Sequence, residues 1–226
     1  MKILLLTKTT PWCYLVREVL DRSEHDVCTV TDLGPDYPRQ AYASYSQQRM
    51  IRQDEWRGDL IISYLYPRVL TATELGRAPR AINFHPGTYW QRGFAPYSWA
   101  IYEQAEDYES ALHYGVTVHE MTPHVDSGPI LRAETFGASP AASVYDLQQK
   151  TMKQMFRIFM LFLEKDFSVP LQGSRPWSWS DGVKTKEDFE NLRLIPADAD
   201  PWEIERRIRA CRYPGQPGAY FEGEVG

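Results

Sequence analysis

The chain has 226 residues, with 25 Lys and Arg against 30 Asp and Glu for a formal charge of -5. A chain of this length buries roughly 70% of its unfolded surface, so one main domain carrying an appendage is expected, and the acidic balance speaks against a protein that coats nucleic acid. The three cysteines, Cys13, Cys28 and Cys211, are widely spaced; they form neither a CxxC metal pair nor a secreted framework and are expected as free thiols in the cytoplasm.

In chain order, Met1 to Thr7 is apolar and breaks at Lys8 with no small-residue cleavage site following, so it reads as a first strand. The loop Lys8-Thr9-Thr10-Pro11 leads into a helical pattern through Leu15, Val16, Val19 and Leu20. Further strands are expected at 26–31, 59–64 and 80–84, with a polar Tyr- and Gln-rich region between the second and third. Short apolar strands separated by helix-length segments predict an α/β fold with a doubly wound, mostly parallel sheet covered on both faces. The loop after the first strand contains no glycine, which speaks against a dinucleotide-binding G-x-G-x-x-G turn. Tyr114 to Met121 and Pro129 to Phe136 read as two more strands, a hairpin at a sheet edge joined by the loop TPHVDSG. From Ser143 a long helix is expected, with Val144, Leu147, Met152, Met155, Phe156, Phe159, Met160 and Leu163 on one broad core face. Its greasiest stretch contains Arg157 and is far shorter than the roughly 20 apolar residues of a membrane span. Past Phe167 the sequence is turn-rich, with a helix from Trp202 to Cys211. The expected organisation is a catalytic domain over 1–166 and a small C-terminal appendage over 167–226, a candidate dimerisation region.

Chemistry concentrates in Asn83-Phe84-His85-Pro86-Gly87. Asn83 and His85 are two apart at the end of a strand and so share a face, at the carboxyl edge where open α/β sheets bind ligands. The plain alternative is that Asn83 satisfies local backbone and His85 caps the turn before Pro86. Asp126, in the HVDSG loop beside Gly128, supplies a carboxylate to the set. A neutral imidazole takes a proton from an attacking amine, a carboxylate holds the imidazolium, and an amide N–H stabilises an oxyanion. No G-x-S-x-G elbow is present, and direct attack on an acyl donor requires no protein nucleophile.

The run INFHPGTYWQRGFAPYSWAIYE, followed by HYGVTVHEMTPHVDSGPIL, resembles the catalytic domain of the N10-formyltetrahydrofolate-dependent formyltransferases, a Rossmann-like family. The resemblance covers about three quarters of the chain. It implies Asn83, His85 and Asp126 as the catalytic set, with N10-formyltetrahydrofolate as co-substrate and no metal. It also implies that Tyr64, Leu65, Tyr66 and Pro67, together with Thr122, His124, Val125 and Asp126, receive the folate pterin, largely through backbone groups. The tail KTKEDFENLRL with ERRIRACRYPGQPGAY is similar to that of nucleotide-sugar members, so the implied acceptor is the amine of a nucleotide-linked amino-dideoxysugar. Lys8 and Arg92 are the candidate contacts to its pyrophosphate, and Trp12, Tyr89 and Trp90 are candidate stacking partners for its base. The expected partners are thus two small molecules, with no nucleic acid or membrane, and a homodimer.

Other acceptors within the family are methionyl-tRNA, glycinamide ribonucleotide and natural-product amines. A methionyl-tRNA enzyme is expected to have basic surfaces and a larger C-terminal domain, and a glycinamide ribonucleotide enzyme an early glycine turn for phosphate. Two different classes also remain. One is a metal hydrolase using His113, His119, His124 and Asp126; the other is a non-catalytic folate-binding module.

Overall fold

The computed structural model describes residues 1–32, 56–104, 112–167 and 177–223. The Tyr- and Gln-rich region between the second and third expected strands lies largely outside the described residues. Six strands form one sheet: β1 (Lys2–Lys8), β2 (Asp26–Asp32), β3 (Leu60–Tyr64), β4 (Arg80–His85), β5 (Leu112–Glu120) and β6 (Ile130–Ala138), in the order β2-β1-β3-β4-β5-β6. The pairings of β1 with β2, β1 with β3, and β3 with β4 are all parallel, with Leu4 opposite Cys28 and Ile61, and Ser63 opposite Asn83. The fold is the expected mixed α/β class, and each of the first four strands falls within a residue of its expected ends.

The chain divides into two compact units that interleave in sequence. The first comprises the described parts of Met1–His85, Val118–Arg132 and Ile158–Gln172. Its strand β1 is buried from Ile3 to Leu6, as expected of a central parallel strand covered on both sides. One face packs Leu4, Leu6, Trp56, Ile61, Leu70 and Ala81 together. The opposite face is aromatic: the Tyr64 and Phe84 rings lie 5.7 Å apart, and Phe159 meets both at 5.9 and 5.5 Å. Strand alternation explains the division, because Ala81, Asn83 and His85 point one way and Ile82 and Phe84 the other. Helix α1 (Pro11–Asp21) follows β1. Thr10 caps it by accepting from the Cys13 backbone N–H at 3.2 Å, and Pro11 occupies its first turn, where no intrahelical N–H is needed. The short α2 (Ala72–Leu75) starts with a capping box between Thr71 and Glu74.

The second unit comprises the described parts of Pro86–Thr117, Ala133–Arg157 and Gly173–Gly226. Helix α3 (Pro96–Tyr102) contributes Trp99, Ala100 and Ile101 to a core shared with Leu112 and Tyr114 of β5. Val144 and Leu147, from the start of α4 (Val144–Leu163), complete that core together with Leu192 of α5 (Lys186–Arg193) and Ala210 and Cys211 of α6 (Pro201–Cys211). The C-terminal residues therefore bury their apolar side chains with α3 and the first turns of α4. A small parallel pair, β7 (Leu194–Ile195) with β8 (Tyr220–Phe221), lies between and beyond these helices in sequence. Glu203 of α6 accepts from the Tyr102 hydroxyl at 3.0 Å and pairs with Arg206 and Arg207.

The long helix runs as expected, but its buried face is rotated. Leu147, Thr151, Met155, Ile158 and Phe162 are buried at steps of three and four, with Met152 and Phe159 beside them, while Phe156, Met160 and Leu163 are only half-buried. Thr151 enters this stripe because its hydroxyl donates to the Leu147 carbonyl at 2.6 Å within the same helix. No helix of the described residues is long and apolar enough to cross a membrane.

Candidate active site

Strand β4 ends on the sequence that carries the expected chemistry. Asn83 and His85 occupy alternate positions and share the Ala81 face, and His85 is 4% exposed. Beyond β5, the Met121 N–H donates to the Ala81 carbonyl at 2.8 Å, so the chain entering the 121–128 loop is tied to β4. The loop returns as a hairpin, with the Glu120 N–H donating to the Pro129 carbonyl at 2.9 Å. Inside it the Thr122 and Ser127 hydroxyls share a 2.5 Å hydrogen bond, and the Ser127 hydroxyl donates to the His124 carbonyl at 3.1 Å. A side chain at Gly128 would set its Cβ 1.9 Å from the Glu120 carbonyl oxygen, which makes glycine obligatory at this close approach. Asp126 itself has φ 41°, a left-handed conformation that Asp tolerates better than most side chains.

This turn brings four polar side chains together. His85 Nδ1 lies 3.4 Å from Asp126 Oδ2, and His119 Nε2 lies 3.3 Å from Asp126 Oδ1. Asn83 Nδ2 is 3.0 Å from His119 Nε2, and His119 Nδ1 is 2.8 Å from the Glu120 carbonyl oxygen. Asp126 is 8% exposed and His119 3%. At that depth a carboxylate needs a partner, and two imidazoles flank it here. The arrangement offers a base (His85), an anion beside it (Asp126) and an amide donor (Asn83) along one edge of the sheet.

The expected folate segments occupy the ends of β3 and β5. Tyr64 is fully buried. Its ring faces away from Asn83 by strand parity and burial pushes its hydroxyl pKa up, so only its backbone is available to a ligand. The Tyr64 carbonyl accepts from the Thr7 hydroxyl at 3.1 Å, joining the carboxyl ends of β1 and β3. Leu65 has φ 62°, an uncommon conformation for a bulky residue that turns the chain sharply off the strand. Tyr66 is half-buried, with the Arg68 guanidinium 6.0 Å from its ring, and Pro67 is exposed. Thr122 and Val125 are half-buried and His124 is exposed. Lys8 is exposed at the end of β1. Arg92, in the second unit, donates from Nη1 to the Ser180 carbonyl at 2.8 Å and stands 5.8 Å from the Trp179 ring.

The metal-hydrolase set does not assemble. His113 and His124 are exposed while His119 is buried, and among the described residues no group of three or more His, Cys, Asp or Glu is placed to hold a metal ion. Sequence reading assigned His119 to that set. Its contact with Asn83 becomes visible only when β5 lies beside β4, although its place next to a strand end seven residues before Asp126 was a usable signal.

An open, mostly parallel α/β sheet here gathers an imidazole, a carboxylate and a carboxamide at its carboxyl edge, groups whose chemistry suits proton transfer and oxyanion stabilisation. Residues 16–163 match the formyl transferase family model, and the chain belongs to that family. It is 27% identical over 177 residues to the methionyl-tRNA formyltransferase of Thermotoga maritima, covering 75% of this chain and 52% of the relative, so it spans about half that protein's length. A sugar N-formyltransferase from Shewanella sp. FDAARGOS_354 shares the fold at a TM-score of 0.77 and 16% identity, over 98% of this chain and 92% of the other. An N-formyltransferase from Helicobacter canadensis, solved in complex with folinic acid and dTDP-3-aminofucose, aligns at a TM-score of 0.70 and 16% identity, over 93% and 80% of the two chains.

Proposed function

We propose that this protein transfers the formyl group of N10-formyltetrahydrofolate to the amine of a nucleotide-linked amino-dideoxysugar. The juxtaposition of His85, Asp126 and Asn83 in a formyl transferase chain carries the reading. The amine lone pair attacks the formyl carbon, the amine gains positive charge and the formyl oxygen negative charge. His85 takes the amine proton, Asp126 stabilises the imidazolium and Asn83 donates to the oxygen. Collapse re-forms the carbonyl and breaks the bond from carbon to N10, which leaves with a proton as tetrahydrofolate.

The pterin is proposed to lie along the backbone of Tyr64 to Pro67 and Thr122 to Asp126, and Lys8 and Arg92 to contact the pyrophosphate. The Helicobacter canadensis neighbour, with folinic acid and an amino-sugar nucleotide bound, supports both ligand classes. Methionyl-tRNA is the second acceptor to weigh because the Thermotoga maritima relative carries that name; the formal charge of -5 weighs against a tRNA-binding surface. A cytoplasmic homodimer joined through 167–226 completes the proposal, and light scattering of the purified protein reads its oligomeric state.

Incubation with N10-formyltetrahydrofolate and a panel of amino-sugar nucleotides, with methionyl-tRNA alongside, tests the function by mass spectrometry. A single added formyl group on a sugar nucleotide, undiminished by chelator, is the expected result. Formylation of methionyl-tRNA alone would replace the acceptor, and no formylation of any amine would sink the reading.

A further inference from the structure

We propose that His119 is a positioning residue that fixes which end of the Asn83 carboxamide faces the reacting formyl group. The proposal rests on reading the site as a formyl-transfer centre. His119 is 3% exposed near the end of β5, and both of its ring nitrogens face protein groups, each with different neighbours. Nδ1 is 2.8 Å from the Glu120 carbonyl oxygen. A carbonyl only accepts, so Nδ1 carries the ring hydrogen and Nε2 of the neutral ring presents a lone pair.

Asn83 Nδ2 stands 3.0 Å from that lone pair. A primary amide has a donor end and an acceptor end of nearly equal shape, and rotation about its last side-chain bond exchanges them. Turned the wrong way, Asn83 would present its oxygen to an oxygen gaining negative charge. An acceptor at His119 Nε2 excludes that orientation: it bonds one hydrogen of the Asn83 NH₂ and repels the amide oxygen. The second hydrogen is then held for the formyl oxygen, with no reorientation required as charge develops. Asp126 Oδ1 lies 3.3 Å from the same Nε2. A hydrogen on Nε2 would be drawn to that carboxylate and would turn the amide round, and this is the competing state that the test must separate. His119 therefore stands between the amide and the carboxylate and acts on the first through its tautomer.

The variants to compare are His119→Asn, whose amide nitrogen can reproduce the Nδ1–H bond but leaves nothing at Nε2, and His119→Gln, which returns an acceptor near Nε2. His119→Asn should lower kcat by about 10²–10³, the effect of one oxyanion donor, with little change in KM for either substrate. His119→Gln should recover most of that loss at the same melting temperature. In the Asn83→Ala background, His119→Asn should cost little more, because the two residues act as one unit. Additive losses, or a kcat loss in His119→Asn that tracks a fall in melting temperature and is not rescued by Gln, would overturn the proposal. A second readout needs no turnover: histidine ¹⁵N NMR of the wild-type protein should show the Nδ1–H tautomer for His119, and an Nε2–H or doubly protonated ring refutes the inference. Absence of formylation with every acceptor would fail the functional proposal separately, and the tautomer would still decide the hydrogen bond.

Discussion

Asp126 occupies a left-handed backbone position, which shapes how its charge can be removed. Asn tolerates that conformation nearly as well as Asp, so Asp126→Asn removes charge with less backbone disturbance than Asp126→Ala. If the proposed mechanism holds, His85→Ala and Asp126→Asn should each reduce kcat by about 10²–10⁴ with little effect on KM, because in it both act on charge that develops after the amine attacks. Asn83→Ala should cost about 10²–10³. Lys8→Ala and Arg92→Ala should instead raise KM for the proposed sugar-nucleotide acceptor and leave kcat near normal. Steady-state kinetics on the single variants separates these outcomes, and a normal kcat in His85→Ala would recast the domain as a binder. Gly128→Ala forces a Cβ against the Glu120 carbonyl and should destabilise the fold by about 1–3 kcal/mol in urea titrations, the cost of overpacking.

At the level of elements, α4 carries the cover of the aromatic face in the first unit. Phe159 is fully buried and within 6 Å of the Tyr64, Phe84 and Phe167 ring centroids. Phe159→Ala should therefore cost about 3–5 kcal/mol, whereas Phe156→Ala, half-buried one position away from the stripe, should cost markedly less. The apolar run of α4 was legible, yet its orientation was not. A helix rich in Met, Phe and Leu on more than one side permits several faces, and residue hydropathy alone does not choose between Phe156 and Ile158. The α1 cap was equally local. Thr10 before Pro11 is a sequence signature, and Thr10→Ala should cost about 1 kcal/mol in chemical denaturation.

Across the molecule, helix-capping carboxylates link stability to pH. The Ser143 hydroxyl and then its backbone N–H hold Asp146 below its ordinary pKa of 3.8, and the Thr185 backbone N–H and then its hydroxyl do the same for Asp188. The Thr71 backbone N–H is the main cause that lowers Glu74 from 4.5. Because the folded pKa is the lower one, the stability these groups supply is complete above the unfolded values and is lost as pH falls through the folded ones. Melting temperature should therefore decline below about pH 4, and Asp188→Asn should flatten that decline. Cys211 behaves oppositely. Burial pushes its thiol up to about 11 against the pull of Arg193 and Arg207, so it should resist alkylation near neutral pH until the protein is denatured.

The sequence by itself determined the order of the six sheet strands and of α1, α4 and α6, the parity that puts Asn83 beside His85, and the membership of Asp126 in a turn with Gly128. These are short-range facts, set by a two-residue strand period and by the steric freedom of one glycine. Only the tertiary structure decided that His119, 36 residues beyond Asn83, lies 3.0 Å from its amide. It likewise decided that the Tyr64 ring belongs to the core and that His113 and His124 stand apart from any metal set. These outcomes depend on which strands become neighbours. The order β3-β4-β5 is chosen by the burial of whole sheet faces, a long-range quantity that no local window of residues contains.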